Sequence, residues 1–328
     1  MRREWIGQAT RRSGTPARGF YPSIINHPSS IINQRAFTLI ELLVVISIVV
    51  LLVALLLPSL QRVRKRAKAV GCEANLHQWG ILYAGYTSEN DGYLPAWEGP
   101  IPGYQGDDWW GSWRWRWEML GSKSTGKPGM PDRASFAAIE DLLRCPMAAR
   151  PRFPSTLAYD GPTDGGTFLA WTWGFGYPGP GWYWRSSYAA NNQAHSWRGD
   201  KSDPSVDEHL RFMWMTSAVK NAATVPVFFD SVGPLVDMYD DKKPPPECDA
   251  IPTRLGTLRS FPNDSVCINR HDGGVNSLFM DWSVRKVGLK ELWTLKWHTQ
   301  YNTRGPWTKA GGVKPGDWPQ WMRGFKDY

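Results

Sequence analysis

The chain of 328 residues has a net charge of +8, but much of the excess sits in its first 36 residues and in a short run at 62–68, which leaves no separate basic domain for nucleic acid. Its four cysteines, Cys72, Cys145, Cys248 and Cys267, contain no C-x-x-C pair, so the common spacings of zinc and dithiol redox motifs are excluded. Beyond the N-terminal apolar run about 270 residues remain, a length that suits one large domain.

Residues 1–36 hold Arg2, Arg3, Arg11, Arg12, Arg18 and Arg35 against the single acid Glu4, and their Gly, Pro and Ser content gives no core-forming pattern. Residues 36–58 then read AFTLIELLVVISIVVLLVALLLP. At about 1.5 Å per residue, a helix over 37–57 is long enough to cross a hydrocarbon core of about 30 Å. A cleaved secretory signal has an apolar region of only about 7–15 residues and small residues at the cut, so this segment reads as a membrane helix that stays in the mature protein. Glu41 is its one acid, and an acid in a membrane helix costs a few kcal/mol unless it finds a partner, which marks it as a functional candidate. The basic run Arg62, Arg64, Lys65, Arg66 and Lys68 follows as a solvated face beside lipid headgroups, and by charge alone it would keep the C-terminal side in the cytoplasm.

Past Pro58, residues Leu60, Val63, Ala67, Val70, Ala74, His77, Ile81 and Ala84 alternate spacings of three and four, predicting a helix that continues to about Ser88 and stops at the Asn90, Asp91, Gly92 turn. Pro58 lacks an N–H and crowds the preceding turn, so the long helix is expected to kink there. His77 is read as a packed residue of the apolar stripe, and Gly71, Gly80 and Gly85 as weak points.

The body, residues 91–328, is rich in Gly, Pro and aromatic residues. Strands are predicted at 167–173, 225–230, 277–281 and 283–287, with a helix at 135–143. The class is therefore α+β: a long kinked N-terminal helix packed on an antiparallel sheet with long Gly/Pro/Trp-rich insertions. Among the 20 tryptophans, Trp109, Trp110, Trp113, Trp115 and Trp117 form one run and Trp171, Trp173, Trp182 and Trp184 another. Alternation puts Trp113, Trp115 and Trp117 on one side of a strand and Arg114 with Arg116 on the other. Such rings either fill a core poor in aliphatic residues or stack on glycan or a neighbouring subunit. If the body is exported, Cys72, Cys145, Cys248 and Cys267 can pair as disulfides in any of three ways or stay buried thiols; Cys248 with Cys267 closes the shortest loop.

The segment Ala36, Phe37, Thr38, Leu39, Ile40, Glu41, Leu42, Leu43, Val44, Val45, Ile46 resembles the class III signal of type IV pilins and type II secretion pseudopilins. The resemblance implies a leader at 1–36 removed by a prepilin peptidase between Ala36 and Phe37, N-methylation of Phe37, and pairing of the new amine with Glu41 of a neighbouring copy. It also implies a membrane and assembly helix at 37–57, an exported helix half at 58–90 and an exported domain at 91–328, with Pro58 where pilin helices often kink. Ala36 departs from the glycine usual before the cut. The implied export outweighs the charge rule and places a single-pass chain in the inner membrane with its body in the periplasm or at the cell surface.

Near the C-terminus, His271 and Asp281, nine residues apart, resemble the H-x9-D-G motif of pilin-like proteins with an expanded exported domain, although Trp282 replaces the glycine. Echoes of the same group are Cys72 with Asn75 and Leu76, Cys145 with Pro146, Ser187 to Asn191, and Phe228, Phe229, Asp230. His271 and Asp281 are expected to fix a hairpin by hydrogen bonds. No nucleophile motif, metal set or cofactor is assigned, and the expectation is a chain with no reaction of its own. Its partners would be the prepilin peptidase, other pilin-like subunits and membrane lipid, in a type II secretion pseudopilus or related assembly. The alternative is a membrane-anchored protein that binds or processes carbohydrate through its Trp clusters.

Overall fold

A helix, α1 (Leu39–Glu89), runs without interruption through Pro58. A computed structural model of the chain describes residues 38–97, 141–149, 161–163, 166–174, 183–197, 210–248 and 265–328. The chain divides into two compact units, with the boundary between Leu56 and Leu57. In the first unit α1 starts from Thr38, whose Oγ1 accepts from Glu41 N at 3.2 Å while a Glu41 carboxylate oxygen accepts from Thr38 N and Thr38 Oγ1, each at 2.8 Å. This is a reciprocal capping box, and it explains an acid at this position of an otherwise apolar helix by the donors a helix start leaves open. Ala36 and Phe37 lie outside the described residues.

In the second unit α1 buries Cys72, Leu76, Trp79, Gly80, Tyr83 and Thr87, spaced as one face of a helix. The sequence stripe is not this face: Ala74, His77 and Ile81 are all exposed, so His77 is not the packed residue expected. The helix ends where Asp91 and Gly92 take positive φ (51° and 80°) and Gly92 N donates to Thr87 O.

Ten strands are described: β1 (Ala96–Trp97), β2 (Gly161–Thr163), β3 (Trp171–Gly174), β4 (Tyr183–Ser186), β5 (Tyr188–Asn191), β6 (Ser196–Trp197), β7 (Pro226–Asp230), β8 (Leu235–Val236), β9 (Gly274–Phe279) and β10 (Val284–Gly288). The main sheet has the order β10-β9-β7-β5-β8; its first four strands are antiparallel and β8 joins β5 in parallel. A three-stranded sheet, β2-β3-β4, and a parallel pair, β1-β6, stand apart from it in hydrogen bonding. The expected strands at 225–230 and 283–287 correspond to β7 and β10. The one placed at 277–281 begins earlier, at Gly274, and only the end of 167–173 is extended. Residues 135–140 of the expected helix lie outside the described residues, and 141–143 form a turn.

Strand alternation sends side chains to two buried faces. On one, Tyr188, Ala190, Phe228 and Leu278 meet Cys72, Leu76, Trp79 and Tyr83 of α1, with the Trp79 and Phe228 rings 5.1 Å apart. Gly80 sits where a Cβ would come 2.9 Å from Leu278 Cδ1 and 3.2 Å from Trp282 O, so it sets the closest approach of helix to hairpin rather than merely weakening α1. On the other face, Ala189, Phe229, Val275, Phe279 and Val287 are covered by the C-terminal segment, residues 289–328, through Trp293, Trp297, Tyr301, Trp318 and Met322. Trp293, Trp297 and Trp318 are core residues: Trp297 stacks edge-on to Phe229 at 5.0 Å and donates to Leu292 O.

Candidate functional site

Four residues far apart in sequence converge under α1. Cys72 comes from the helix, Cys145 from the loop after Leu143, Asp230 from the end of β7, and His271 from the turn that leads into β9. One Sγ, N or O atom of each lies within 4.8 Å of every other, and all four side chains are buried. Their contacts are specific. Asp230 Oδ2 lies 3.0 Å from His271 Nε2 and 3.4 Å from Cys72 Sγ, while Cys145 Sγ lies 3.5 Å from the same Nε2.

Local structure explains how each residue is presented. Asn75, one turn beyond Cys72 on α1, donates to Asp141 O and Arg144 O, and Trp79 Nε1 donates to Leu142 O, so the helix holds the loop that carries Cys145. From the sheet side, Ser187 Oγ accepts from Cys145 N at 2.7 Å, and Tyr188 OH donates to Cys72 Sγ at 3.3 Å. His271 enters through a tight turn in which Asp272 and Gly273 have φ of 47° and 87°, a two-residue left-handed pattern that favours an Asp-Gly pair.

Arg270 supplies the charge frame. Its guanidinium is fully buried, and all five of its N–H donors are engaged: Nε with Thr167 O, one terminal nitrogen with Ser187 O and Asp230 Oδ1, the other with Gly166 O and Ser231 O. Asp230 Oδ2 also accepts from Asn276 N at 2.9 Å. Burial would raise the Asp230 carboxyl, but Arg270 and His271 outweigh it and hold it down at about 2. Burial would lower His271, yet its hydrogen bonds to Asp230 and Cys145 push it up to about 9. Burial drives the Cys72 thiol well up. For Cys145 burial acts the same way, but it is overcome by the hydrogen bonds of Cys72 and His271 and the charge of Arg270, and the thiol moves down. The centre therefore balances two cations, Arg270 and His271, against two anions, Asp230 and the Cys145 thiolate, which is how buried charge is tolerated.

This cluster overturns the expectation of a chain without a chemical site. Two cysteines, a carboxylate and an imidazole gathered within 4.8 Å form a group of the kind that binds metal or performs thiol chemistry. No spacing pattern pointed to it, because the contacts join residues 158 and 126 positions apart. None of the four cysteines forms a disulfide, and the cluster brings Cys72 and Cys145 together.

His271 and Asp281 sit before and after β9. His271 N donates to Gly274 O at the start of β9 and its side chain turns to Asp230 and Cys145, while Asp281 Oδ1 accepts from Ser283 N at 3.0 Å and Ser283 Oγ at 2.6 Å in the hairpin turn. The following residue, Trp282, has φ of 65°, the left-handed position that favours glycine in such a turn. Its ring stacks on Tyr83 of α1 at 5.8 Å, a contact a glycine cannot make.

Residues 31–57 match the family described as the prokaryotic N-terminal methylation motif. No curated protein and no solved structure matches the chain. The methylation motif thus covers the start of α1 and its apolar half, and a helix over a mainly antiparallel sheet is the general architecture of pilin-like proteins. α1 is long and apolar enough to cross a membrane, and its apolar half is unburied. Of the tryptophan clusters, Trp109 to Trp117 and Trp182 lie outside the described residues, and Trp171, Trp173 and Trp184 belong to β3 and β4.

Proposed function

We infer that the chain is a pilin-like subunit, anchored in the inner membrane by residues 37–57 and assembled through that helix into a type II secretion pseudopilus or related envelope assembly. In this reading a prepilin peptidase cuts between Ala36 and Phe37, Phe37 is N-methylated, and the body beyond Pro58 is exported. The observation that carries it is the methylation motif at 31–57 on a helix whose residues 38–68 are all exposed. So much unbroken apolar surface calls for lipid or the same helix of other copies. The exposed basic run after it suits the headgroup region. Glu41 closes the capping box in the single chain; in this reading it pairs in an assembly with the free amine of a neighbour's Phe37.

The test is Glu41→Gln in the full-length chain, followed by in-membrane cross-linking between copies. The reading expects the cross-linked ladder to fall at least several-fold while membrane retention stays unchanged. A ladder as strong as that of the unaltered chain would remove Glu41 from assembly.

A further inference from the structure

We propose that Cys72, Cys145, Asp230 and His271 form a closed four-coordinate site for a single zinc ion, which clips α1 to the sheet. The spacing of the ligand atoms supports this. Around an ion held at about 2.3 Å by sulfur and about 2.0–2.2 Å by nitrogen or oxygen, tetrahedral angles place sulfur about 3.5–3.6 Å from nitrogen or oxygen, and nitrogen about 3.3–3.4 Å from oxygen. The observed edges are 3.5 Å from Cys145 Sγ to His271 Nε2, 3.4 Å from Cys72 Sγ to Asp230 Oδ2, and 3.0 Å from His271 Nε2 to Asp230 Oδ2. The two sulfur edges match tetrahedral lengths and the nitrogen–oxygen edge is shorter by a few tenths of an ångström; hydrogen bonding accounts for each contact singly, whereas the convergence of all four donor atoms within 4.8 Å suits a shared ion. A disulfide between Cys72 and Cys145 would explain neither Asp230 nor His271 at the same point.

The donor set also selects the metal. Two sulfurs, one imidazole nitrogen and one carboxylate oxygen, sealed from solvent, match structural zinc chemistry better than the all-oxygen shells of calcium or magnesium. Charge closes as well. Two thiolates, one carboxylate and the Arg270 guanidinium sum to minus two, and a divalent ion brings the buried centre to zero. Asp230 is oriented for this task, since Arg270 occupies Oδ1, and Oδ2, steadied by the Asn276 N–H, is directed at His271 and Cys72. On binding, the ion displaces the Cys72 thiol proton and the proton on His271 Nε2, two protons for one divalent ion, with no change of oxidation state. This inference does not depend on the N-terminal processing, so either can fail without the other.

The experiment is metal analysis of the full-length chain purified in detergent without chelator, followed by exchange with Co2+. The expected result is one zinc per chain, replaced by cobalt with the visible bands of a tetrahedral site and a sulfur-to-cobalt charge-transfer band. Cys145→Ser should lose the ion or most of the charge-transfer band, and Cys248→Ser, outside the cluster, should keep both. Chelation of the unaltered chain should turn Cys72 and Cys145 from protected to alkylatable. A chain that holds no zinc and takes up no cobalt overturns the proposal, as does a Cys72–Cys145 disulfide in its peptides. Should Cys145→Ser not fold, the cobalt spectrum of the unaltered chain decides: bands without sulfur charge transfer also overturn it.

Discussion

The two halves of α1 obey the same backbone geometry and face opposite demands. From Leu39 to Leu56 every side chain is exposed and nearly all are apolar, so position around the helix carries no distinction. From Leu57 to Glu89 the exposed side chains include the basic run and other polar residues beside Leu60, Val63, Val70 and Ile81, and one narrow face is buried, where Cys72, Leu76, Trp79, Gly80 and Tyr83 meet β5, β7 and β9. A helix apolar all round needs cover from outside the chain, whereas an amphipathic one is covered by its own domain. The difference explains why the first half can be an anchor and only the second can carry a site.

That contrast breaks most visibly at Asp230. Asp230→Ala leaves the Arg270 guanidinium buried without its counter-charge, and removing one partner of such a pair costs about 3–5 kcal/mol. Chemical unfolding of the second unit should show this loss while membrane retention is unaffected. A loss below about 1 kcal/mol would mean that Arg270 finds water or another anion. The reciprocal change is Val50→Lys, in the middle of the proposed anchor, where a lysine costs about 2.5–3.5 kcal/mol of membrane insertion. It should move protein from the membrane to the soluble fraction while leaving unfolding of the second unit unchanged.

A smaller effect follows from His298 in the C-terminal layer, packed against the rings of Phe212 and Tyr301. Burial, with help from Lys296, holds it down at about 4 against an ordinary 6.5. Because the unfolded chain takes the proton first, stability should fall as pH drops from about 6.5 to about 4, with no further contribution from this residue below that. His298→Gln should flatten that slope. An unchanged slope would assign the acid sensitivity to other groups.

Sequence made the anchor legible because its signal is local: an unbroken apolar run needs no partner to be recognised. The strands at β7 and β10 were legible for the same reason, as short runs bounded by turn residues. The start of β9 was missed because Gly274 and Asn276 do not look like strand residues; each is accounted for only by what it meets. A Cβ on Gly274 would collide with Val287 O at 2.4 Å, and Asn276 N donates to Asp230. The C-terminal layer was missed because residues 289–328 have no helical or strand period; they cover the sheet with short 3-10 turns and isolated tryptophans. For the site, each of the four residues stands in a stretch that the resemblance marks, yet nothing local points His271 to Asp230. Sequence separation hides a contact between residues 158 positions apart, and only the order of β5, β7 and β9 beneath α1 brings those stretches together. Arg270 gave no signal beyond its neighbour, since a buried arginine is recognisable only when its five acceptors are in place.

The central claim, a pilin-like chain matured at its N-terminus and held by its apolar helix, is tested most directly by mass spectrometry of the native N-terminus from membranes. The account predicts a chain that begins at Phe37 and carries a methyl group on its α-amine. Native protein that begins at Met1, or a soluble product trimmed beyond Leu57, would contradict it.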